Sequence, residues 1–384
     1  MKIAFFADTY YPQRNGVATS VGSLASALKK FKNKVYVFAP KIKGFVDNEK
    51  DIFRIPSSRM WPTIPDSARL PLPALSPVWM KIVLKDYDLV HAHGNGFFSM
   101  LGLVVAKQKN IPFVLTFHTL LNRYAHYILN GKLITPKMAD FILKVFANRC
   151  DGVITSSEKM KQELIKMGVK KEITVIPNFV NLKKFAVKNQ YFLHKNYNIP
   201  SNHQIILTVG RLAKEKNIEF IIKTFSKVSR NFKKVHLVIA GEGPQKKHLL
   251  NLSINLKLEK KITFTDGIDI DKMPLVYKDA DIFVFASTSE VHPMVAIEAS
   301  ASGLPLVLVN DKAYAQEVVN GENGFSLPLN QEEFAQKIIL LLKNPLLREK
   351  FGKASLKKAK INTDEGMIVK KLMNVYEDCL QKKQ

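Results

Sequence analysis

Short apolar runs recur along this chain, most of them followed by a polar or glycine-bearing turn and then by apolar positions at helical spacing. Residues 2–7 read as a strand, Leu24, Leu28 and Phe31 mark a helix, and residues 34–39 read as a second strand. Strand, helix, strand in that order predicts a parallel sheet, whose strands are buried on both faces and therefore apolar throughout. Further strands are expected at 87–93, 112–118, 151–155 and 173–176. The alternation then restarts at 205–209, with a helix over 218–228 and strands at 235–240, 262–266, 279–286, 305–309 and 324–327. Two breaks interrupt it. Residues 56–79 carry Pro56, Pro62, Pro65, Pro71, Pro73 and Pro77 with Trp61 and Trp79, and predict a long loop able to cover a site or touch a membrane interface. Helix 136–149 places Met138, Phe141, Ile142, Val145 and Phe146 on one stripe, which suits core packing first and membrane contact second.

A chain of 384 residues fits two α/β domains, here 1–183 and 184–360. The tail from Gln331 is helical, and residues 361–384 are expected to pack back toward the first domain. The opening MKIAFFADTYYP reads as a first strand and not a signal peptide, and no apolar stretch is long enough to span a bilayer. Cys150 and Cys379 lie far apart with no ligand spacing, which argues against a zinc site or a disulfide scaffold and for a reducing cytoplasm. The net charge is +25, and residues 1–183 hold 27 basic against 12 acidic side chains. An anionic membrane surface or a nucleic acid could use that excess; a general lysine bias is the plain alternative.

The chemistry gathers at predicted strand ends, where open parallel sheets bind ligands. SEVHPMVAIEAS, Ser289 to Ser300, sets Glu290 and Glu298 at either end of a turn that enters a helix near Met294 and Val295, whose first N–H groups suit an anion such as a diphosphate. The same two glutamates also read as solvated surface charges. Gly210 and Arg211 follow a strand directly, with Lys216 before the next helix: a close-approach glycine, a guanidinium fork and a point charge. Gly16, in an Asn-Gly turn after the first strand, offers a weaker version of the same arrangement or an ordinary turn. His91 and His93 share one strand face and read as hydrogen-bonding residues, and His118 ends the next strand.

DLVHAH, IPNFVNLKKF, VGRLAKEKN, GEGP and SEVHPMVAIEASASGLP, in this order, resemble the retaining nucleotide-sugar glycosyltransferases of family four. The resemblance covers nearly the whole chain. It implies an α/β fold of two Rossmann-like domains with parallel sheets facing across a cleft, the GT-B arrangement. It implies that Arg211 and Lys216 neutralise the donor diphosphate, that Glu298 accepts from the ribose hydroxyls, that Glu290 orients the sugar and that His118 reaches it near the reacting carbon. Gly16, Gly210, Met294 and Val295 would complete the donor site. No metal and no cofactor is implied beyond the nucleotide-diphosphate sugar as co-substrate.

NGVATSV with TFHTLLNRYAHYI is similar to the branch that glycosylates diacylglycerol, which implies Tyr124, His126 and Tyr127 as acceptor-binding residues. The sequence departs from the pattern at Asn122-Arg123, at Phe179 and at His292-Pro293. The implied activity is transfer of glucose from UDP-glucose to 1,2-diacylglycerol, with retention, by a cytoplasmic enzyme bound peripherally to the inner membrane face. No nucleic-acid partner is expected, and oligomeric state is left open. The alternatives are a GDP-mannose or other donor with a phosphatidylinositol, polysaccharide or soluble acceptor, and, in a different class, a UDP-sugar epimerase.

Overall fold

The computed structural model describes residues 1–13, 15–59, 69–72, 78–119 and 135–383. They form two compact units, Met1–Asn178 with Asp364–Gln384, and Phe179–Thr363.

In the first unit the strands are β1 (Lys2–Ala7), β2 (Lys34–Pro40), β3 (Ile52–Ile55), β4 (Ser57–Arg59), β5 (Arg69–Pro71), β6 (Leu89–His93), β7 (Phe113–Phe117), β8 (Gly152–Thr155) and β9 (Ile173–Val175). Helices α1 (Gly16–Lys30), α2 (Val78–Leu84), α3 (Phe97–Gln108), α4 (Pro136–Asn148) and α5 (Glu158–Lys166) connect them. Seven strands make one sheet in the order β3-β2-β1-β6-β7-β8-β9, all parallel. Ile3, Ala4, Phe5, Phe6 and Ala7 are fully buried, as a central parallel strand requires. Strand order reverses between β1 and β6, where Ala7 and His93 are register partners. At such a reversal the connections leave to opposite faces, so the carboxyl ends of the two strands stay uncovered.

In the second unit come α6 (Leu182–Phe185), α7 (Phe192–Asn196), β10 (Gln204–Val209), α8 (Ile218–Asn231), β11 (Val235–Ala240), α9 (Lys246–Asn255), β12 (Ile262–Phe264), α10 (Met273–Lys278) and β13 (Ile282–Phe285). The unit continues with α11 (Met294–Ala301), β14 (Leu306–Val309), β15 (Gly324–Leu327), α12 (Gln331–Lys343) and α13 (Pro345–Asn362). The parallel sheet runs β12-β11-β10-β13-β14-β15, with its reversal between β10 and β13. Its core gathers Phe225, Tyr277, Phe283, Phe285 and Phe351 around the two sheet faces.

The last helix, α14 (Glu365–Gln381), belongs to the first unit. Asp364 caps it by accepting from the Met367 N–H at 3.0 Å, and Ile368, Leu372 and Tyr376, four residues apart, are its buried stripe. Cys379 presses on β8 so closely that a Cβ at Gly152 would lie 2.8 Å from its sulfur.

Two expectations are corrected, one strand was missed and the helical tail is divided. The predicted loop 56–79 contains the antiparallel ribbon β4–β5 and the first two residues of helix α2, while 60–68 and 73–77 lie outside the described residues. The proline-rich text hid them because edge ribbons tolerate proline, here Pro71 at the end of β5. Helix 136–149 exists, but its buried stripe is Ala139, Leu143, Phe146 and Ala147, whereas Met138, Phe141 and Ile142 are exposed. The edge strand β3, only four residues long and interrupted by Arg54, was not foreseen. The helical tail, expected from Gln331, is three helices, and Asn344 and Asp364 at the two breaks cap α13 and α14.

Candidate active site

In the second unit, β10 ends at Val209 and the backbone turns through Gly210 toward Arg211, whose side chain is exposed. Gly241, directly after β11, comes so near that a Cβ there would lie 2.0 Å from the Gly210 carbonyl oxygen, and one at Gly243 would lie 2.4 Å from that of Leu212. The Leu212 N–H donates to the Glu242 carbonyl at 2.8 Å, closing the two loops on each other. The glycines of GEGP thus serve backbone packing beneath the Gly210–Arg211 turn.

The turn then forms a single 3-10 segment, Lys214–Lys216, and Asn217, in the left-handed region, swings the chain into α8. Lys216 ends facing β13, where its ammonium makes a close ion pair with Glu290; both side chains are largely buried, at 18% and 13% exposure. The loop after β13 is pinned to this turn. Ser287 Oγ donates to the Glu215 carbonyl at 3.1 Å, and Tyr314 Oη donates to the Ser287 carbonyl at 2.6 Å. Burial lifts the Tyr314 hydroxyl well above its ordinary pKa, with the neighbouring Glu290 charge acting in the same direction, so it stays a donor.

Helix α11 begins at Met294 with no side-chain cap and no acidic residue in its first turn. Its first N–H groups carry the positive end of the dipole without a competing carboxylate. Glu298, one turn on, accepts from Tyr277 Oη at 2.7 Å. Desolvation pushes its pKa up to about 7, against the lowering effect of that hydrogen bond. A carboxyl balanced in this way binds hydroxyls well, because it exchanges one buried donor for another. His292 turns inward and bonds to Glu317 at 3.2 Å, each 2% exposed, which anchors the loop ahead of Pro293.

In the first unit, Asp8 follows β1 and is buried; its carboxylate accepts from the Gly96 and Phe98 N–H groups at 2.8 and 3.0 Å and from Ser99 Oγ at 3.1 Å. Burial nevertheless raises its pKa to about 6. A Cβ at Gly94 or Gly96 would lie 2.5 or 2.6 Å from that carboxylate, which explains both glycines. On the neighbouring strand β6 stand His91 and His93, fully buried, with rings 4.1 Å apart. His91 bonds Tyr376 Oη at 2.6 Å and Thr116 Oγ1 at 2.7 Å, and His93 Nδ1 lies 3.4 Å from Nε2 of half-buried His118. Desolvation lowers the pKa of His118 to about 4 and that of His91 to about 3, and holds His93 well below the usual range. All three are neutral at pH 7.

Two sequence families meet end to end along the chain: Glycosyltransferase Family 4 matches residues 14–184, and Glycosyl transferases group 1 matches residues 189–358. An alpha-monoglucosyldiacylglycerol synthase of Streptococcus pneumoniae is 32% identical over 357 residues, covering 91% of this chain and 80% of that protein. Its counterpart from Acholeplasma laidlawii is 30% identical over 408 residues, covering 100% of this chain and 98% of that protein. The chain belongs to the family-four glycosyltransferases. Solved structures agree on the fold: sucrose-phosphate synthase from Thermosynechococcus elongatus superposes with a TM-score of 0.80 at 19% identity, covering 98% of each chain. Anabaena HepE in complex with UDP-glucose superposes at 0.78 and 19% identity, covering 97% of this chain and 98% of that one. The architecture of this glycosyltransferase is thus GT-B, with two Rossmann-like domains.

Of the residues singled out in the sequence, the structure brings Lys216 and Glu290 into direct contact and sets Gly210 and Arg211 on the adjoining turn. Glu298, Met294 and Val295 share α11, with Met294 buried and Val295 half-buried. Gly16 does not lie in a loop: it is the first residue of α1, and the cap is Asn15, which accepts from the Ala18 N–H at 2.9 Å and donates to Thr9 Oγ1 at 2.8 Å. Tyr124, His126 and Tyr127, like Asn122 and Arg123, fall outside the described residues. Sequence reasoning missed Asp8, Tyr277, Tyr314 and Glu317. Only Asp8 carried a signal, as the charged residue directly after the first apolar strand.

Proposed function

We propose that this glycosyltransferase moves glucose from UDP-glucose to 1,2-diacylglycerol with retention of anomeric configuration, at an anionic membrane surface. The observation that carries the reading is the similarity to two alpha-monoglucosyldiacylglycerol synthases, one of them over the full length of both chains. The Lys216–Glu290 ion pair and the Tyr277-bound Glu298 support its donor half.

In this reading the UDP phosphates lie against the first turn of α11, with Arg211 and Lys216 supplying the positive charge that a metal would otherwise bring. A ligand diphosphate draws Lys216 away from Glu290, and the freed carboxylate turns to the sugar hydroxyls. Glu298 takes the ribose hydroxyls in place of Tyr277. The bond between the anomeric carbon and the β-phosphate oxygen breaks as the acceptor oxygen attacks from the same face, and the acceptor's proton passes to the departing phosphate. No protein nucleophile and no metal step is required, and His118 contacts the sugar.

The acceptor half of the proposal draws on the first unit's surface. Among the described residues no helix is long and apolar enough to cross a membrane. The exposed Met138, Phe141 and Ile142 on α4, flanked by Lys137 and Lys144, form a face suited to lying at a lipid interface. Each nearby Lys or Arg adds about 1 kcal/mol at an anionic leaflet.

The test is incubation with radiolabelled UDP-glucose, with and without diacylglycerol-containing vesicles, followed by lipid extraction and anomeric analysis. Label appearing in an α-glucolipid only with diacylglycerol supports the proposal. An intact nucleotide sugar, or label only from GDP-mannose, refutes the donor; a soluble labelled product refutes the lipid acceptor, and sugar interconversion without acceptor points to an epimerase. Transfer that persists in excess chelator is expected.

A further inference from the structure

His93 Nε2 is buried without a hydrogen-bond partner, while Nδ1 of the same ring faces His118 Nε2 at 3.4 Å. A neutral imidazole carries one N–H and one lone pair, so the contact between two neutral rings has two forms. In one, His118 donates from Nε2 to His93 Nδ1. His93 must then carry its own proton on Nε2, where nothing accepts it. In the other, His93 donates from Nδ1 to His118 Nε2, and the partnerless atom is a bare lone pair.

The two forms differ in what they leave unsatisfied. Orphaned buried N–H groups are rarer than under-satisfied acceptors, which favours the second form. His91 does not alter the choice, because both its nitrogens are taken by Tyr376 and Thr116. Those two bonds fix its ring, and the rings of His91, His93 and Phe5 pack as a triangle, with the His93 centroid 4.1 Å from His91 and 4.4 Å from Phe5, which are themselves 5.2 Å apart. The His93 edge presented to His118 is therefore held from behind by side chains of β1, β6, β7 and α14.

We infer that His93 is a positioning residue, which locks His118 as the Nδ1–H tautomer, so that the first unit offers the sugar a fixed hydrogen-bond donor and not a general base. The substrate group it suits is a hydroxyl oxygen of the donor sugar. This role rests on the proposed contact between His118 and the sugar, and it agrees with a reaction in which the departing phosphate takes the acceptor's proton. The tautomer itself does not depend on that contact.

The whole chain labelled with 15N-histidine, at pH 7.5 and without substrate, provides the first measurement. Long-range 15N–1H correlation distinguishes the tautomers, with the His118 signals identified by their loss in His118→Gln. Nδ1–H at both His93 and His118 is expected; Nε2–H at His118 overturns the inference whatever the enzyme's substrate proves to be. The second measurement compares His93→Leu with His93→Asn, whose amide can place a donor where Nδ1 stood. In His93→Leu, His118 is expected to revert toward Nε2–H, and kcat to fall by about 10- to 100-fold, as when a supporting hydrogen bond is lost. The KM for UDP-glucose should stay within about twofold, because little ground-state binding is removed. His93→Asn should recover most of the loss; equal damage in both variants, or none in either, overturns the positioning role. Should the tautomer be as expected while UDP-glucose is not a substrate, the functional proposal fails and the histidine geometry stands.

Discussion

At the reversal in the first sheet, the strand ends carry Asp8, His93 and His118, whose pKa shifts all favour the neutral form relative to water. At the reversal in the second, Lys216 and Glu290 form an ion pair and the uncapped start of α11 adds a dipole. The same place in two similar sheets is thus equipped in opposite ways. Neutral rings in a desolvated setting give direction, since a hydrogen bond between them tolerates little misalignment. Charges give strength, and a leaving diphosphate needs charge more than direction. Two Rossmann-like units thus carry unlike chemistry at their strand ends, without a difference in fold.

Removing the charge should break this contrast most severely. Lys216→Met is expected to lower kcat by about 100- to 1,000-fold, the usual effect of losing one preorganised electrostatic contact. Combining it with Glu290→Gln should cost less than the two losses multiplied, because each single variant strands the other charge. Steady-state kinetics of UDP release check both, and multiplicative losses would show that the pair acts on substrate independently.

Backbone packing sharpens the comparison next. Gly241→Ala sets a Cβ against the Gly210 carbonyl at φ +149, whereas Gly94→Ala, at φ +113, meets only the Asp8 side chain. We expect about 3 kcal/mol of destabilisation for Gly241→Ala and about half of that for Gly94→Ala, since backbone yields less than a side chain. Urea denaturation measures both, and the reverse order would mean that Asp8 is the stiffer neighbour.

Acid should separate the buried titratable groups by sign. The depressed pKa of His91 contributes stability that is full above pH 6.5 and is lost as pH falls toward about 3. The raised pKa values of Asp8 and Glu298 contribute stability that is present below pH 4 and lost as pH rises through about 6 and about 7. In His91→Phe the unfolding free energy should fall less steeply between pH 6 and 4, by about 1.4 kcal/mol per pH unit. An unchanged slope in pH-dependent denaturation would show that His91 does not titrate on unfolding. The smallest effect is expected at Phe141, exposed on α4: Phe141→Ser should change stability by no more than about 0.5 kcal/mol while weakening sedimentation with anionic vesicles. Unchanged vesicle binding would remove α4 from the interface.

Legibility in the sequence depended on range. Strands at 2–7, 235–240 and 305–309 stood out because a parallel strand buried on both faces must be largely apolar. Helix α4 was legible as a helix and not as a face: the stripe through Met138, Phe141 and Ile142 and the stripe through Ala139, Leu143 and Phe146 both have helical spacing. Alanine was the overlooked cue, since small side chains mark where a helix packs closely. Tyr277 and Glu298, or His292 and Glu317, leave no periodic trace, because each pair comes from different elements.

By itself the sequence determined the parallel α/β class, the two units and the family through five ordered motifs, and it singled out the Gly210–Lys216 and Glu290–Glu298 segments as candidates. These depend on local periodicity and on spacings within a few residues, which the chain states directly. Only the tertiary structure decided that Lys216 answers Glu290, that Tyr277 protects Glu298, that the GEGP glycines serve backbone packing, and that α14 returns Tyr376 to hold the histidines of the first unit. Those pairings join residues from 21 to 285 positions apart. Strand order in the sheet, a property of the whole fold, chooses which of them meet.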